Sequence, residues 1–458
     1  MGEVLSQTES VCPECLQRIP ARRVQEDAAV FLEKTCPQHG DFRTVIWRGE
    51  PAYSSWVRPK TPSYPKNPRT AIKDGCPYDC GLCADHRQHT CSVLFEITQR
   101  CDLGCPVCFA DAGRAGDSDW SLAEIEAWFQ RLKGECPTAN IQLSGGEPSL
   151  RDDLAEIIRL GRRYGFTYFQ LNTNGLRLAR DLDFLKALKA AGLSSVFLQF
   201  DGTTDTIYQQ IRGRALLAEK LAAIEQCRLA GMGVMLVPTL IPGVNTEDIG
   251  NIIRLGLDAL PTVRGVHFQP ISYFGRYSAG PQNKARITLP EVMQAIEAQT
   301  NGLIPTSSFS PPGCENALCS FHGSYVQMPD GSLLPTSRRN EAACACQPIV
   351  AAEGAAKSRA FVASHWSVPE KPLLDLSLQA SPSLGEWDVF LERKRTHTFC
   401  LSAMAFQDAW TLDLERLRDC CIHIANRDGR LVPFCAYNLS SRNGETLYRE
   451  THETHAAG

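Results

Sequence analysis

From about residue 93 to residue 300, short runs rich in β-branched and aromatic residues alternate with longer runs that carry apolar residues at i, i+3 and i+4. A strand-like run recurs roughly every 25–35 residues, which is typical of a parallel βα array. Six units are fewer than the eight of a closed barrel, so we expect an α/β fold with a partial (β/α)6 barrel. The strand-like runs are VLFEIT (93–98), NIQLSG (140–145), TYFQLNTNG (167–175), SSVFLQFDG (194–202), GVMLVPTLI (233–241) and GVHFQPI (265–271).

The composition changes on both sides of this array. Residues 1–50 form a small cysteine-rich unit, and residues 51–92 combine a Pro- and Ser-rich linker with a second group of cysteines. Residues 301–458 lack the regular alternation, so we expect a loop-rich region that holds further cysteines. The sequence therefore predicts four segments, with the barrel at 93–300.

The chain has 20 cysteines among 458 residues and a net charge of −4. It shows no secretion signal and no apolar run long enough for a membrane span, so we expect a cytoplasmic protein. In a reducing compartment, clustered cysteines indicate metal sites rather than disulfides. The scattered Lys and Arg residues argue against nucleic-acid binding.

Three cysteines follow the first strand in the stretch CDLGCPVCFA: Cys101, Cys105 and Cys108. The loops at the carboxyl ends of barrel strands carry the active site, so this loop is suitably placed for catalysis. Three thiolates can hold three irons of a [4Fe–4S] cube and leave the fourth iron free to bind another molecule. The spacing alone fits a catalytic cluster and an ordinary metal loop equally well.

The second strand ends in LSGGEPSL, residues 143–150. Gly145 and Gly146 would expose backbone N–H and carbonyl groups to a ligand across the strand ends, and Glu147 would stiffen the turn. An ordinary βα turn is the alternative, because paired glycines are common there. Polar residues also end later strands, notably Asn174 and Gln199.

The N-terminal unit contains two knuckles, one with Cys12 and Cys15 and one with Cys36 and His39. This pairing predicts a zinc-ribbon or rubredoxin-like site for zinc or iron. Its expected role is structural, because a unit of about 50 residues needs such support.

The stretch DGCPYDCGLCADHRQHTC supplies four further cysteines, which predicts a closed auxiliary [4Fe–4S] cluster. The first three of these cysteines have the same x3, x2 spacing as the catalytic loop, which makes them an alternative triplet. We favour Cys101, Cys105 and Cys108 because no strand precedes the earlier group and Cys91 completes it as a set of four. The expected ligands are Cys76, Cys80, Cys83 and Cys91.

Another auxiliary cluster is expected near the C-terminus. Its candidate ligands are Cys314, Cys319, Cys421 and Cys435. Cys344 and Cys346 are spaced too tightly for an ordinary knuckle, and either a redox-active thiol pair or a disordered loop would explain them.

The Cys-x3-Cys-x2-Cys loop after the first strand resembles the hallmark of the radical SAM superfamily, whose core is a partial TIM barrel. The resemblance implies that the open iron binds S-adenosylmethionine (SAM) through its amino and carboxylate groups. It also implies that the reduced cluster cleaves SAM to methionine and a 5′-deoxyadenosyl radical. In this family the GGEP motif contacts the methionine amino group, which assigns that role to Gly145, Gly146 and Glu147. Arg212 is then a candidate partner for the SAM carboxylate, and Asn174 and Gln199 for SAM or substrate.

The whole chain resembles the branch that contains tetraether lipid synthase and dihydropterin methyltransferases, and it is most similar there to TrsS-type radical SAM (seleno)proteins. This resemblance implies C–C bond formation or methyl transfer on a small-molecule or lipid substrate, including a pterin. It also implies a low-potential electron donor of the flavodoxin or ferredoxin type. A peptide-modifying maturase and a non-enzymatic iron–sulfur carrier are the alternatives.

Overall fold

The computed structural model describes residues 2–113, 119–277, 280–336, 348–368 and 385–449. Among these residues, the strands form a four-stranded, a twelve-stranded and a two-stranded sheet. In the same residues, no helix combines the length and apolarity needed to cross a lipid bilayer.

The N-terminal sheet is an antiparallel meander in the order β1-β2-β3-β4. Its inward side chains alternate along β3, where Val30, Leu32 and Cys36 are buried. The connections after β1 and after β3 lie at the same end of the meander, and they carry the predicted metal ligands. The strands are β1 (Glu3–Val11), β2 (Arg18–Glu26), β3 (Ala29–Cys36) and β4 (Gly40–Arg48).

The large sheet contains the predicted barrel strands, joined side by side in parallel from β6 to β12. The partial barrel expected from the sequence is therefore confirmed. A short helix, α1 (Tyr53–Trp56), and a short strand, β5 (Lys60–Thr61), precede it. The barrel strands are β6 (Ser92–Thr98), β7 (Asn140–Gly145), β8 (Phe169–Thr173), β9 (Ser195–Gln199), β10 (Gly233–Val237), β11 (Thr239–Leu240) and β12 (Val263–Pro270).

Helices connect these strands and cover the outside of the sheet. A capping box between Ser121 and Glu124 begins α2, and left-handed Gly192 and Gly231 end α4 and α6. The helices are α2 (Leu122–Glu135), α3 (Leu154–Arg163), α4 (Leu182–Ala191), α5 (Asp205–Arg212), α6 (Leu217–Ala230), α7 (Ile249–Asp258) and α8 (Leu289–Gln299).

Aromatic rings fill the layer between the sheet and these helices. Phe129 packs 5.2 Å from Phe95 and 6.2 Å from Phe169, measured between ring centroids. Gly161 of α3 lies against the same rings, because a Cβ there would come within 2.5 Å of Phe169. Each buried phenylalanine stabilises the fold by roughly 1.5–3 kcal/mol.

The residues after 300 extend the barrel sheet at both edges, which the sequence pattern did not indicate. β16 pairs in parallel with β12, and β17 pairs in parallel with β6. β17 has only four residues, so its alternation is too short to stand out from a loop. The elements are β13 (Ser320–Gln327), β14 (Leu333–Pro335), β15 (Ile349–Val350), α9 (Ala351–His365), α10 (Gly385–Thr396), β16 (Thr398–Met404), α11 (Leu414–Arg418), β17 (Ile422–Ala425), β18 (Leu431–Pro433) and α12 (Phe434–Tyr437).

Candidate active site

The carboxyl ends of the barrel strands border a cavity of about 760 Å³. The cavity also reaches Ser92 and Asn140, the first residues of β6 and β7, so it extends through the barrel to the amino ends of these strands. All nine residues predicted to be catalytic or cofactor-binding line it: Cys101, Cys105, Cys108, Gly145, Gly146, Glu147, Asn174, Gln199 and Arg212.

The two glycines after β7 allow the cysteine loop to pass close to the strand. A Cβ on Gly145 would lie 2.1 Å from the carbonyl oxygen of Thr98, and one on Gly146 would lie 2.2 Å from that of Arg100. The N–H groups of Gly146 and Glu147 donate to these same two carbonyls, each at 2.8 Å. The two glycines thus allow the loop to pack closely, and the Gly146 N–H, expected to face a ligand, already has a partner.

Glu147 joins the GGEP turn to the end of β8. One carboxylate oxygen accepts hydrogen bonds from the Ser149 N–H at 2.9 Å and the Thr173 hydroxyl at 2.7 Å. The other accepts one from the Asn174 N–H at 2.6 Å. Burial raises the pKa of Glu147, and these hydrogen bonds act in the opposite direction.

Asn174 lies in the cavity wall and contacts the cysteine loop directly. Its Nδ2 donates to Asp102 Oδ1 at 2.7 Å, and its Oδ1 accepts from the Leu176 N–H at 2.9 Å. Because Asp102 follows Cys101, the Asn174 side chain helps to fix the first thiol.

Arg212, the expected partner of the SAM carboxylate, lines the cavity. It forms a buried two-point ion pair with Asp201, at 2.7 and 2.8 Å. Its Nη1 donates to the carbonyl of Val107 at 3.2 Å, and its Nη2 donates to Thr239. Arg212 thus holds the cysteine loop against Asp201, which follows β9, and against β11, and its contact with the SAM carboxylate stays a prediction.

Lys220 is a site residue that the sequence analysis missed. It is fully buried, and its Nζ donates to the carbonyl of Asn174 and, at 3.3 Å, to Gln199 Oε1. Burial lowers its pKa to about 8, while nearby Asp201 raises it. Lys220 lies on the apolar stripe of α6 with Ala223, and a charged residue on such a stripe was the available signal.

Two further arginines support the cysteine loop from distant parts of the chain. Arg276 donates to the carbonyl of Cys105 at 2.8 Å, and its backbone exchanges two hydrogen bonds with Cys108. Arg449 donates to the carbonyl of Ala110 at 3.2 Å and forms a buried ion pair with Glu96. No local pattern marks these arginines, because their partners lie far away in sequence.

The three loop thiols suit a metal cluster by their chemistry. Burial raises the pKa of Cys101 to about 12. Burial also raises the pKa of Cys105, and the charge of Arg212 lowers it in part. A bound metal is what keeps such buried thiols ionised. Within the described residues, no fourth cysteine joins these three in lining the carboxyl end of the cavity, so the donors fit a [4Fe–4S] cluster with one open iron.

The N-terminal knuckles bring their four predicted ligands together. The donor atoms of Cys12, Cys15, Cys36 and His39 all lie within 4.8 Å of one another. His39 Nδ1 is 3.5 Å from the Cys12 sulfur and 3.4 Å from the Cys36 sulfur. The donor set fits one tetrahedral zinc or iron ion.

The structure groups the second set of thiols differently from the expectation. One small cavity is lined by Cys76, Cys80 and Cys83. The backbone N–H of Cys80 donates to the hydroxyl of Tyr448 at 2.9 Å. Cys91 lies instead beside Cys314 and Cys421, because it directly precedes β6 and its position is set by that barrel strand.

The four candidate ligands expected near the C-terminus also lie in two separate groups. Cys421 and Cys314 lie with Cys91, whereas Cys319 and Cys435 are near Arg416 together with Cys420. The adjacent residues Cys420 and Cys421 thus belong to different groups of thiols. Cys344 and Cys346 lie outside the described residues.

Amide side chains form the inner wall of the cavity. Gln170 donates to Asn172 Oδ1 at 2.8 Å, and Asn172 donates to Gln142 Oε1 at 3.3 Å. Gln170 Oε1 and Trp366 Nε1 are buried without a hydrogen-bond partner in the described part of the chain. The amides that line the cavity are Asn140, Gln142, Gln170, Asn172, Gln199 and Gln269.

Comparison with known proteins defines the class. The profile of the radical SAM superfamily matches residues 95–256. The 7,8-dihydro-6-hydroxymethylpterin dimethyltransferase of Methanocaldococcus jannaschii is 36% identical over 95% of this chain and 94% of its own. The chain therefore belongs to the radical SAM superfamily and is a radical SAM enzyme. Within that superfamily it falls in the branch of the pterin dimethyltransferase, and its residues 4–48 match the HMPTM N-terminal zinc ribbon domain.

Two other relatives and one solved structure match less than half of this chain. The probable GTP 3′,8-cyclase of Methanothermobacter marburgensis is 32% identical over 37% of this chain and 55% of its own. The PqqA peptide cyclase of Gluconobacter oxydans is 31% identical over 45% and 57%. Among solved structures, methylornithine synthase covers 47% of this chain and 63% of its own at 14% identity, with a TM-score of 0.37.

Proposed function

We propose that this enzyme transfers methyl groups to a small, polar heteroaromatic substrate of the reduced pterin class. The observation that carries the proposal is the amide lining of the cavity, with its unsatisfied Gln170 oxygen and Trp366 nitrogen. A pterin edge offers both donors and acceptors of hydrogen bonds, and buried polar groups need such partners. The near full-length similarity to a pterin dimethyltransferase supports the same class.

Aromatic side chains lie beside these amides in the cavity lining, where Phe197 of β9 is the cross-strand neighbour of Asn172. The Phe197 and Trp366 rings stack at 5.6 Å with 18° between their planes, and His267 packs 5.3 Å from Phe197. His267 Nδ1 is bonded to Ser402 at 2.8 Å, and burial lowers the pKa of His267 to about 4, so the ring is neutral at pH 7. A flat heteroaromatic ring can stack on such aromatic side chains while its edge forms hydrogen bonds to the neighbouring amides. An alkyl chain would leave the amides unpaired, which argues against a lipid substrate.

The chain's own residues hold the cofactors in this proposal. Cys101, Cys105 and Cys108 bind the [4Fe–4S] cluster, which on reduction cleaves SAM and supplies the 5′-deoxyadenosyl radical. Glu147 and Asn174 fix the strand ends on which SAM lies. The remaining cysteine groups hold auxiliary clusters and the ribbon holds zinc or iron, with a flavodoxin- or ferredoxin-type protein as the reductant.

The test uses anaerobically reconstituted full-length protein with 7,8-dihydro-6-hydroxymethylpterin, SAM and dithionite. One SAM is cleaved to the radical, which takes a hydrogen atom from the pterin, and a second SAM donates its methyl group and leaves as S-adenosylhomocysteine. Dithionite supplies one electron to each of these two steps. The pterin carries deuterium at its saturated ring carbon and its hydroxymethyl carbon. We expect deuterium in the 5′-deoxyadenosine and a methylated pterin by mass spectrometry. SAM cleavage without either product would contradict the pterin class while leaving the radical SAM assignment intact.

Gln170→Leu is the site-specific test. It removes the unpaired Gln170 Oε1 together with the hydrogen bond to Asn172 and leaves the cysteine loop unchanged. We expect a KM for the pterin about tenfold higher, equivalent to one lost hydrogen bond of about 1.4 kcal/mol, with unchanged cleavage of SAM alone. Gln294→Leu, on α8 near Glu50, is the matched control for the substitution itself.

A further inference from the structure

A row of polar side chains crosses three neighbouring strands in the wall of the cavity. In the register of the sheet, Ser402 of β16 lies between His267 of β12 and His322 of β13. Paired residues on adjacent strands point to the same face of a sheet, and all three of these residues line the cavity. The C-terminal strands β13 and β16 therefore extend the cavity wall, and this histidine row adds two imidazole rings to it.

The two rings differ in the hydrogen bonds that they already form. Nδ1 of His267 is bonded to the Ser402 hydroxyl at 2.8 Å, which fixes the orientation of that ring. The backbone of His322 exchanges hydrogen bonds with Ser310 at 2.9 and 3.0 Å, whereas its ring nitrogens have no hydrogen-bond partner in the described part of the chain. Because His322 is only partly buried and lines the cavity, its ring is accessible to a molecule bound there.

The protonation state of His322 suits a hydrogen-bond acceptor. Burial lowers the pKa of His322, and the charge of Glu315 raises it in part. The Ser320 hydroxyl donates to Glu315, and both of these residues line the same cavity. Because the ordinary pKa of histidine is about 6.5, the His322 ring is neutral at pH 7, and one of its nitrogens can accept a hydrogen bond.

The histidine row lies next to the surface proposed for the heteroaromatic ring. The His267 ring packs 5.3 Å from Phe197, which is the cross-strand neighbour of Asn172. In the strand order of the sheet, the amides of β7 and β8 lie on one side of Phe197, and the histidine row lies on the other. A flat substrate stacked at Phe197 thus has amides beside one edge and imidazoles beside another.

We propose that His322 is a catalytic residue that accepts a hydrogen bond from the O–H or N–H group beside the substrate C–H bond that the radical breaks. The hydrogen atom of that C–H bond passes to the 5′-carbon of the deoxyadenosyl radical, while the O–H or N–H proton stays on the substrate. The O–H or N–H group becomes more acidic as the neighbouring C–H bond breaks. Its hydrogen bond to His322 therefore strengthens in the transition state and lowers the barrier.

This role rests on the proposed function, because it needs a substrate with such a group next to the reacting carbon. A 7,8-dihydro-6-hydroxymethylpterin offers two of them. Its hydroxyl is next to the hydroxymethyl carbon, and a ring N–H is next to the saturated ring carbon. These are the two carbons that carry deuterium in the test of the proposed function.

The test measures deuterium transfer from the labelled pterin to 5′-deoxyadenosine in full-length reconstituted protein with SAM and dithionite. His322→Phe keeps a planar ring and removes both nitrogens. At saturating pterin, we expect transfer to slow by about 10- to 100-fold, with the KM for the pterin changed by no more than about threefold. His322→Gln keeps an acceptor and should recover most of the rate.

Iron content is measured in each variant, so that a lost cluster is not mistaken for a lost hydrogen bond. His322→Leu is the second variant where His322→Phe loses iron. Two pterins that each carry deuterium at one carbon identify the donor group. A loss seen with the hydroxymethyl label supports the O–H group as donor, and a loss seen with the ring label supports the N–H group.

His397→Phe is the matched control, because His397 is also a partly buried histidine of the C-terminal region but bonds to Thr396 outside the cavity lining. It should leave deuterium transfer unchanged. Equal transfer rates in the His322→Phe and unaltered proteins would overturn the role of His322 and leave the pterin proposal intact. If the unaltered protein transferred no deuterium from the pterin, both proposals would fall.

Discussion

The N-terminal ribbon and the catalytic loop both present cysteines on short connections, but they are stabilised in opposite ways. In the ribbon, four donor atoms converge within one four-stranded sheet. In the catalytic loop, three thiols are held by side chains from other elements, including Arg212, Arg276 and Arg449. A closed metal site is thus specified locally, whereas an open one depends on the surrounding fold to fix the loop.

The sharpest test of this difference pairs one cysteine from each region. Cys105→Ala should abolish 5′-deoxyadenosine formation, because two thiols cannot hold the catalytic cluster. Cys36→Ala should remove the ribbon metal and lower thermal stability while leaving SAM cleavage measurable. Product assays and metal analysis of both proteins check this, and loss of SAM cleavage in both would remove the distinction between the regions.

The next test concerns the contact between the N-terminal ribbon and the C-terminal region. Arg23 forms a buried ion pair with Asp413, and their side chains are 8% and 2% exposed. Arg23→Met leaves Asp413 buried without its partner, which should cost about 3–5 kcal/mol of stability. Arg22→Met is the control, since Arg22 pairs with Glu33 at the surface and should cost about 1 kcal/mol or less. Unfolding curves compare the two, and equal losses would contradict the docking role of Arg23.

A smaller effect is expected from loosening the catalytic loop. Arg276→Met removes charged hydrogen bonds to the loop backbone worth about 1.5–3 kcal/mol, so SAM cleavage should slow by about 10- to 100-fold. Cluster content should fall in parallel, which a purely surface effect would not cause. Arg254→Met, at an exposed position of α7, is the control, and a similar loss there would contradict the proposal that Arg276 supports the loop.

Lys220 should act on SAM binding more than on the cluster. Lys220→Met leaves the Asn174 carbonyl and Gln199 Oε1 without this donor, at a cost of about 1–2 kcal/mol. The KM for SAM should rise about 5- to 30-fold with iron content unchanged. Lys189→Met, which loses a comparable bond to the Ala230 carbonyl far from the cavity, should leave KM unchanged.

The smallest effect concerns pH. Burial lowers the pKa of His267 to about 4, from about 6.5 in the unfolded chain. Between these values the unfolded state binds the proton and the folded state does not, so stability falls as pH falls through this window. From pH 8 to pH 6 the loss due to His267 should be about 1 kcal/mol or less. Unfolding curves of His267→Gln should lack that component, and an unchanged pH dependence would contradict it.

The ribbon ligands, the six barrel strands and the cysteine loop were predictable because each is a local pattern. The auxiliary thiol groups were not, since nearness in sequence placed Cys91 with Cys83, whereas β6 carries it to Cys421. Arg212 was identified as a site residue, but its partner Asp201 and its bond to Val107 depend on the fold. Lys220 alone among the missed residues had a local signal, a charge on an apolar helix stripe.

The central claim is that Cys101, Cys105 and Cys108 leave one iron position open for SAM. Electron–nuclear double resonance of the reduced protein with ¹⁷O-carboxylate-labelled SAM measures this directly. The account predicts an oxygen coupling to the cluster in the unaltered protein and none in Cys105→Ala. A catalytic cluster with a fourth protein ligand and no coupling to SAM would contradict it.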